Sequence, residues 1–355
     1  ADASQVDFAV VAAHQAFTNG WASATPAQRS FALHRLGNVM EARREDLVKA
    51  IITDTACADA LARSMDVSRS ITALRYYADA VSVASDEASF TPTQDGAGAQ
   101  SFSRRKPLGV VGILSGATLP LYSAVSKLAP ALASGNTVVL KPSEYSPSAA
   151  VLLAQCAHES GMKPGILNVV HGYGPRAAGA ALAAHPGIDA LALVGRPHTA
   201  LALRDAAPNS RAREVFELGG KSIAMVCADA DFGKSLAGVF KAVFFNAGQI
   251  CGSPDLVFVE RVIYAKFIAA MRAASARLQL APMISPAHRD RVLTHIRFAR
   301  DQGATLLAGG AAPKFGDERD NGYFLQATIM TGGETAVFAL DQEVFGPFCH
   351  VVPFD

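Results

Sequence analysis

Between residues 107 and 218, short runs rich in β-forming residues alternate with segments of helix-forming composition. The β-rich runs are LGVVGILS, NTVVLKPS, ILNVVHG and ALALVG, and the helix-forming segments between them are LPLYSAVSKLAPALASG, SPSAAVLLAQCAHESG and GPRAAGAALAAHPG. Strands that alternate with helices favour a parallel sheet that is covered by helices on both faces. We therefore predict a doubly wound α/β fold for this region.

The flanking regions have different patterns. Before residue 80, stretches such as RSFALHRLGNVMEARREDLVKAIITD carry apolar residues at intervals of three and four, which predicts helices. Residues 86–106 are rich in Gly, Ser and Thr and predict a loop or an exposed hairpin. After Gly219 and Gly220, the runs SIAMVCADA, DLVFVE and ATLLAGG indicate a second α/β unit. A chain of 355 residues is long for one hydrophobic core, so we expect two domains.

The composition excludes several classes of protein. Half of the residues are hydrophobic and the net charge is +1, so we predict a globular protein without a nucleic-acid or membrane-surface partner. The uncharged stretch Pro107–Ser126 contains several Gly, Ser and Pro residues, which favours a buried strand, loop and helix over a membrane span. The nine histidines are scattered, and no HExxH or CxxC pattern predicts a metal site. Five widely spaced cysteines and the absence of a signal-peptide pattern favour a reducing, cytoplasmic location.

Polar residues follow three of the predicted parallel strands, whose carboxyl ends are the usual place for a ligand. Lys141, Ser143 and Glu144 end VVLKPSE, where a lysine can reach a phosphate or ribose hydroxyl and a carboxylate can accept from ribose hydroxyls. Gly195 and Arg196 end ALALVGR just before a helix, where backbone N–H groups can face an anion. A solvated loop and a plain tight turn explain the same residues equally well.

One carboxylate and one thiol are candidates for chemistry. Glu217 ends the apolar run of EVFELGGKS, where partial loss of solvent would raise its pKa into the range of a general base. Cys251 follows the helical pattern AGVFKAVFFNAGQ and would act as a thiolate nucleophile. The alternatives are a surface glutamate and an inert core cysteine. Three other cysteines lie in apolar patterns and are expected to be buried: Cys57, Cys156 and Cys227.

Another local signal concerns a helix start. Ser146 precedes Pro147 in the segment SPSAAVLLAQCAHESG, and Gly161 ends it. Serine is a preferred N-cap residue, and proline is common in the first helical turn. We therefore predict that Ser146 caps a helix that begins at Pro147.

Four motifs occur together in the order KPSE, ELGGKS, FNAGQIC and QEVFGP. This set resembles the aldehyde dehydrogenase superfamily, and the resemblance extends across nearly the whole chain. It implies oxidation of an aldehyde to a carboxylic acid with NAD(P). In such enzymes a cysteine attacks the aldehyde to give a thiohemiacetal, hydride passes to the nicotinamide ring, and a glutamate activates the water that hydrolyses the resulting thioester.

The resemblance also implies roles for individual residues of this chain. Cys251 would be the nucleophile and Glu217 the general base. The expected cofactor contacts are Lys141, Ser143 and Glu144 at the adenosine ribose, Gly195 and Arg196 at the pyrophosphate, Leu218 beside Glu217, and Glu343 and Phe345 at the nicotinamide ribose and ring. Because a carboxylate at Glu144 would repel a 2′-phosphate, we expect NAD to be preferred over NADP.

The resemblance further predicts a domain organisation and partners. We expect a Rossmann-like dinucleotide-binding domain at residues 1–85 and 107–218, a β-hairpin oligomerisation arm at 86–106, and a smaller α/β catalytic domain at 219–355. The catalytic domain is expected to be shorter at its C-terminal end than in the family. A small aldehyde is the expected substrate, and a homodimer or homotetramer is the expected assembly if the remaining C-terminal part is present.

Two positions depart from the family pattern. The family has an asparagine whose amide donates to the oxyanion where this chain has Thr118, and a small hydroxyl residue where it has Arg196. These changes leave open a catalytically impaired homologue with a structural or binding role. Transfer of the acyl group to coenzyme A is a further alternative, but Glu217 argues against it because a thiol acceptor needs no water-activating base.

Overall fold

A computed structural model describes residues 1–83, 91–92, 100–101, 104–174, 177–208, 210–333 and 341–355. The chain forms two compact units. The first, hereafter the N-terminal unit, comprises Ala1–Asp54 and Asp59–Glu217, and the second, the C-terminal unit, comprises Thr55–Ala58 and Leu218–Asp355. Among the described residues, no helix combines the length and the apolar composition that crossing a membrane requires.

The N-terminal unit begins with helices, as the sequence pattern predicts. Capping boxes start two of them, because Asp2 pairs with Gln5 and Thr25 pairs with Gln28. Short π-helical turns lie at Phe17–Trp21 and Ala62–Val67. The helices are α1 (Ala3–Ala16), α2 (Pro26–Ala42), α3 (Arg44–Thr55), α4 (Asp59–Leu61), α5 (Ser68–Val83), α6 (Pro120–Ala133), α7 (Ser148–Glu159), α8 (Ala178–Ala184) and α9 (Pro197–Ala206).

A five-stranded sheet forms the centre of this unit. After the short strands β1 (Thr91–Pro92) and β2 (Gln100–Ser101), its members are β3 (Val110–Leu114), β4 (Thr137–Lys141), β5 (Leu167–Val169), β6 (Ala190–Gly195) and β7 (Arg213–Leu218). Their order is β5-β4-β3-β6-β7, and the β3–β4, β3–β6 and β4–β5 pairs are parallel. This is the order of a dinucleotide-binding half-sheet, whose topological switch point lies between β3 and β6.

Alternate residues of the buried strands pack against helices. Val110 and Leu114 of β3 join a core with α1, α8 and α9, while α6 and α7 pack against β3, β4 and β5. Because both faces of the strands are covered, the runs are apolar without alternation, which is why they stand out in the sequence. The prediction of an α/β fold with parallel strands is confirmed.

The C-terminal unit contains a second five-stranded sheet. Its strands are β8 (Ile223–Val226), β9 (Leu256–Glu260), β10 (Thr305–Ala308), β11 (Thr328–Thr331) and β12 (Phe348–Phe354), in the order β10-β11-β12-β9-β8. All neighbouring pairs are parallel except β10–β11. The helices are α10 (Phe232–Phe244), α11 (Arg261–Ser275) and α12 (Pro286–Asp301), and 3₁₀ turns lie at Phe245–Gly248 and Glu318–Asn321.

The predicted start of the helix after β4 is wrong. α7 begins at Ser148, with Pro147 as its N-cap. Ser148 donates from its backbone N and its Oγ to the two carboxylate oxygens of Asp54, at 2.8 and 2.9 Å. Ser146 instead donates from Oγ to the carbonyl oxygen of Ala117 at 3.1 Å. The Ser148–Asp54 and Ser146–Ala117 contacts both join residues far apart in sequence, so no local pattern reveals them.

The predicted arm at residues 86–106 lies mostly outside the described residues. Within it, Thr91 pairs with Ser101 and Pro92 with Gln100 in an antiparallel register. The proposed role of this segment in oligomerisation remains a prediction.

Candidate active site

The carboxyl end of β4 presents a lysine and a carboxylate side by side. Lys141 Nζ lies 3.3 Å from Glu144 Oε2 and donates to the Pro142 carbonyl oxygen at 2.7 Å. The lysine side chain is 4% exposed and that of Glu144 is 27% exposed. Burial lowers the pKa of Lys141, and the charge of Glu144 opposes this shift. The pair therefore has a buried cation and a carboxylate edge open to a ligand, with Ser143 between them.

The loop after β3, residues 115–119, carries Thr118 and lies beside the end of β6. A Cβ added at Gly116 would lie 3.4 Å from the carbonyl oxygen of Val194, so the loop is in contact with the end of β6. Leu119 has a left-handed backbone, with φ 48°, immediately before α6. On the β6 side, the carbonyl oxygen of Arg196 accepts the first hydrogen bonds of α9. The loop that carries Thr118 therefore meets the end of β6, which leads into Gly195 and Arg196, at the topological switch point of this sheet.

A buried carboxylate supports the start of α6. Asp66 is fully buried, and its Oδ1 accepts from the backbone N of Tyr122 at 2.6 Å. No side chain of the N-cap residue performs this task, so Asp66 satisfies a helix N-terminus from another segment. Burial raises the pKa of Asp66 to about 7, against the effect of the two backbone N–H groups of Leu121 and Tyr122.

Glu217 is not in the desolvated environment that the sequence pattern suggests. Its side chain is 59% exposed, and its Oε1 pairs with Nζ of Lys127 on α6. β7 is the edge strand of its sheet and is largely exposed in this chain, whereas an apolar run alone predicts burial. Lys127, which the motifs did not single out, is thus the charged partner of Glu217.

The thiol of the FNAGQIC motif lies on a tightly wound turn of the C-terminal unit. Cys251 is exposed, and its carbonyl oxygen accepts from Ser222 Oγ at 3.1 Å. Three consecutive residues before it have left-handed backbones, Asn246 (φ 50°), Ala247 (φ 53°) and Gly248 (φ 69°). Such conformations are unfavourable for residues other than glycine and persist only where surrounding contacts hold them.

Gln249 supplies those contacts. It is 4% exposed, and its Nε2 lies 3.3 Å from the Asn246 carbonyl oxygen and 3.2 Å from that of Pro282. Its Oε1 accepts from the backbone N of Ile284 at 3.0 Å. One buried amide therefore closes the turn before the thiol and joins it to the segment that leads into α12.

The QEVFGP segment packs closely on the other motifs of this unit. A Cβ added at Gly248 would lie 1.9 Å from the Gly346 carbonyl oxygen, and one added at Gly219 would lie 2.0 Å from Glu343 Oε2. Only glycine permits these approaches. Phe345, between Glu343 and Gly346, has a left-handed backbone with φ 54°. The C-terminal unit therefore brings Cys251, Glu343 and Phe345 into one region.

A buried ion pair fixes the start of this segment. Lys221 Nζ lies 3.0 Å from Asp255 Oδ1 and donates to the Gln342 carbonyl oxygen at 2.9 Å. Asp255 Oδ2 accepts from the backbone N of Val344 at 2.8 Å. Burial lowers the pKa of Lys221 and raises the pKa of Asp255, and each charge opposes the shift of the other. The pair holds the backbone on both sides of Glu343.

The exposure of the cysteines corrects one expectation. Cys57 and Cys156 are buried as predicted, but Cys227 is exposed because it follows the edge strand β8. Burial raises the pKa of Cys156 to about 11 and also raises the pKa of Cys349. Exposure alone therefore distinguishes Cys251 and Cys227 from the other three. Among the described residues, no cluster of His, Cys, Asp and Glu could hold a metal ion.

The sequence matches the profile of the aldehyde dehydrogenase family over residues 1–355. The chain belongs to the aldehyde dehydrogenase family. It is 42% identical to a Pseudomonas protein named 2-aminomuconic 6-semialdehyde dehydrogenase, over 100% of this chain and 74% of that protein. It is 37% identical to 2-hydroxymuconic semialdehyde dehydrogenase of Pseudomonas sp. strain CF600, over 99% of this chain and 74% of the relative.

Solved structures agree with the family assignment. The NAD⁺ complex of an aldehyde dehydrogenase from Bacillus cereus superimposes with a TM-score of 0.93 at 30% identity, over 100% of this chain and 72% of that one. This member of the aldehyde dehydrogenase family is accordingly an oxidoreductase that acts on aldehydes. Its Rossmann fold explains the dinucleotide-type strand order of the N-terminal unit.

The sequence analysis assigned no role to three residues near the candidate site residues: Lys127, Gln249 and His288. Lys127 lies in the helical segment LYSAVSKLAPALASG as its lone charge, and that isolation is the available sequence signal. Gln249 lies within FNAGQIC but reads as a neutral spacer. His288 follows Ser285 and Pro286, which mark a helix start but not a role at the site.

Proposed function

We propose that this chain oxidises an aldehyde to a carboxylic acid with NAD, through a thioester on Cys251. The observation that carries the proposal is the position of Cys251 on an exposed turn that Gln249 and the glycine contacts hold in one conformation. An exposed thiol on a rigid turn can present Sγ to a carbonyl carbon without rearrangement.

The N-terminal unit offers donors that fit a dinucleotide. Lys141 supplies a cation, the open oxygens of Glu144 can accept from ribose hydroxyls, and the α9 N-terminus beside Gly195 and Arg196 can face a pyrophosphate. In the C-terminal unit, Glu343 and Phe345 are the proposed contacts of the nicotinamide ribose and ring, with Leu218 as a further contact. Bound NAD would supply the hydride acceptor.

The remaining chemistry belongs to residues of the chain. Sγ of Cys251 forms a bond to the aldehyde carbon, and the carbonyl oxygen becomes an oxyanion that the backbone N–H of Cys251 can stabilise. Thr118 stands where the family places a second donor. After oxidation, Glu217 removes a proton from a water that attacks the thioester, which releases the acid and restores the thiol.

The names of the relatives suggest the substrate class. Both Pseudomonas relatives are named as dehydrogenases of muconic semialdehydes, and one of them is 42% identical to this chain. We therefore propose an unsaturated semialdehyde that carries a carboxylate as the substrate. The muconic semialdehydes and simple aliphatic aldehydes form the appropriate test panel.

The test is the appearance of NADH when the protein is mixed with NAD and this panel. Wild type should form NADH, Cys251→Ser should not, and Cys227→Ser should behave like wild type because Cys227 is the matched exposed thiol. Activity that persists in Cys251→Ser would refute the proposed nucleophile. If wild type binds NAD but oxidises no member of the panel, the chain is an impaired homologue.

The role of Glu217 has its own test. Glu217→Gln should accumulate an acyl-enzyme on Cys251, seen by mass spectrometry after mixing with NAD and aldehyde, because thioester hydrolysis needs the base more than thioester formation does. Unchanged turnover of this variant would indicate another base, and turnover that requires coenzyme A would indicate an acylating enzyme.

The substitution at Thr118 predicts a slow enzyme. Loss of one preorganised oxyanion donor typically lowers the rate by about 100- to 1,000-fold. Thr118→Asn should therefore raise kcat about tenfold or more, as steady-state kinetics would show. A fast wild type together with no gain in this variant would mean that another group supplies the donor.

A further inference from the structure

His288 lies in the first turn of α12, against the segment that carries Phe345. Ser285 caps this helix by accepting from the backbone N of His288 at 3.1 Å, and Pro286 occupies the first turn. His288 is 3% exposed, so its position is fixed by packing. Because Gln249 holds the preceding Pro282 and Ile284, the helix start is also joined to the turn before Cys251.

The imidazole makes two contacts with one residue. Its Nε2 lies 2.7 Å from the carbonyl oxygen of Phe345, and its ring stacks on the Phe345 ring with centroids 5.7 Å apart and planes 25° apart. A carbonyl oxygen only accepts hydrogen bonds, so Nε2 carries the proton and donates. An offset stack of this kind is a favourable aromatic geometry.

Phe345 needs such support because its backbone is left-handed, with φ 54°. A hydrogen bond to its carbonyl oxygen opposes rotation of the peptide that would relieve this strain. The following residue is enclosed as well, since a Cβ added at Gly346 would lie 2.6 Å from Val292 Cγ2, one turn further along α12. Phe345 itself remains partly exposed.

We propose that His288 is a positioning residue that holds the Phe345 ring in place for the nicotinamide end of the cofactor. This inference rests on the proposed function, in which Phe345 contacts the nicotinamide ring. His288 acts through Phe345: the N–H fixes the strained backbone, and the imidazole supports the ring from one face. The contacts of the adenosine ribose and pyrophosphate do not depend on it.

Three substitutions separate the two contacts. His288→Phe keeps an aromatic ring and removes the donor, His288→Gln keeps an N–H donor and removes the ring, and His288→Ala removes both. Ile296→Ala is the matched stability control, because Ile296 is a buried core residue about two turns further along the same helix. Urea denaturation of all four variants shows how much stability each loses.

The decisive readout is binding of NAD and of ADP-ribose, measured by calorimetry. ADP-ribose has the adenosine and pyrophosphate groups but no nicotinamide. His288→Ala should lower NAD affinity about tenfold and leave ADP-ribose affinity unchanged, with smaller losses for the other two His288 variants. Ile296→Ala should lose stability while binding both compounds like wild type.

Two results would overturn the proposal: equal losses for NAD and ADP-ribose in His288→Ala, or no loss for either. Kinetics then separates this proposal from the proposed function. If wild type binds NAD but oxidises no aldehyde, the proposed function fails. The affinities of His288→Ala for NAD and for ADP-ribose still test the role of His288 in that case. If wild type binds neither compound, both proposals fail.

Discussion

Each unit pairs the lysine of a family motif with a carboxylate, and the two pairs differ in how much of the carboxylate remains exposed. In the N-terminal unit, Lys141 is buried but Glu144 keeps a partly exposed carboxylate. In the C-terminal unit, Lys221 and Asp255 are both largely buried, and their remaining polar atoms bind the backbone at Gln342 and Val344.

The exposure of the carboxylate separates the two pairs. The exposed carboxylate can bind a ligand, whereas the buried one stabilises the backbone around Glu343. A carboxylate with open oxygens can exchange water for ribose hydroxyls at little cost. A carboxylate whose two oxygens already face a cation and a backbone N–H has nothing left to offer a ligand. A lysine–carboxylate pair is therefore open to a ligand in the N-terminal unit and closed by backbone contacts in the C-terminal unit.

The largest expected effect tests the closed pair. Lys221→Met leaves the Asp255 charge buried without a cation, which should lower the free energy of unfolding by about 3–5 kcal/mol in urea denaturation. Lys234→Met is the control, because the Lys234 side chain is 87% exposed. Adding Asp255→Asn to Lys221→Met should recover part of the loss, and failure to recover any would show that the pair is not the cause.

The next effect concerns Asp66, a buried carboxylate that accepts hydrogen bonds from backbone N–H groups. Burial raises its pKa from 3.8 to about 7, so its contribution to stability is complete below about pH 4 and is lost as the pH rises through 7. Three pKa units correspond to at most about 4 kcal/mol. Asp66→Asn should flatten the pH dependence of urea unfolding between pH 4 and 8, whereas Asp46→Asn, at an exposed carboxylate, should not. Identical profiles for wild type and Asp66→Asn would contradict this.

The smallest effect tests the open pair. At an effective dielectric of about 20, two unit charges 4 Å apart repel by roughly 4 kcal/mol, and by about 1 kcal/mol in water. NAD should therefore bind at least about tenfold more tightly than NADP, and Glu144→Gln should reduce this preference without changing unfolding by more than about 0.5 kcal/mol. Calorimetry with both cofactors checks the preference, and Glu159→Gln, in an exposed ion pair of the same unit, is the control. Equal binding of both cofactors by wild type would mean that Glu144 does not face the ribose.

Much of the fold follows from the sequence because its strands are buried on both faces. The runs LGVVGILS and NTVVLKPS form β3 and β4. Lys141 is the last residue of β4, at the carboxyl end of the strand as predicted. The motifs also identify the family, which the comparisons confirm. Burial was predicted less well at edge strands. Glu217 on β7 and Cys227 just after β8 are exposed, and within the described part of the chain each of these strands pairs on one side only.

The order of strands and helices, the candidate residues and the family were determined by the sequence alone, since local periodicity and short motifs encode them. Tertiary structure alone decided which distant groups support those residues. Ser146 bonds to Ala117 instead of capping its own helix, Gln249 reaches Pro282 and Ile284, and His288 supports Phe345. In each contact a donor meets an acceptor that lies far away in sequence. A buried polar group without a partner costs free energy, but which partner it finds depends on the folded structure and not on local sequence.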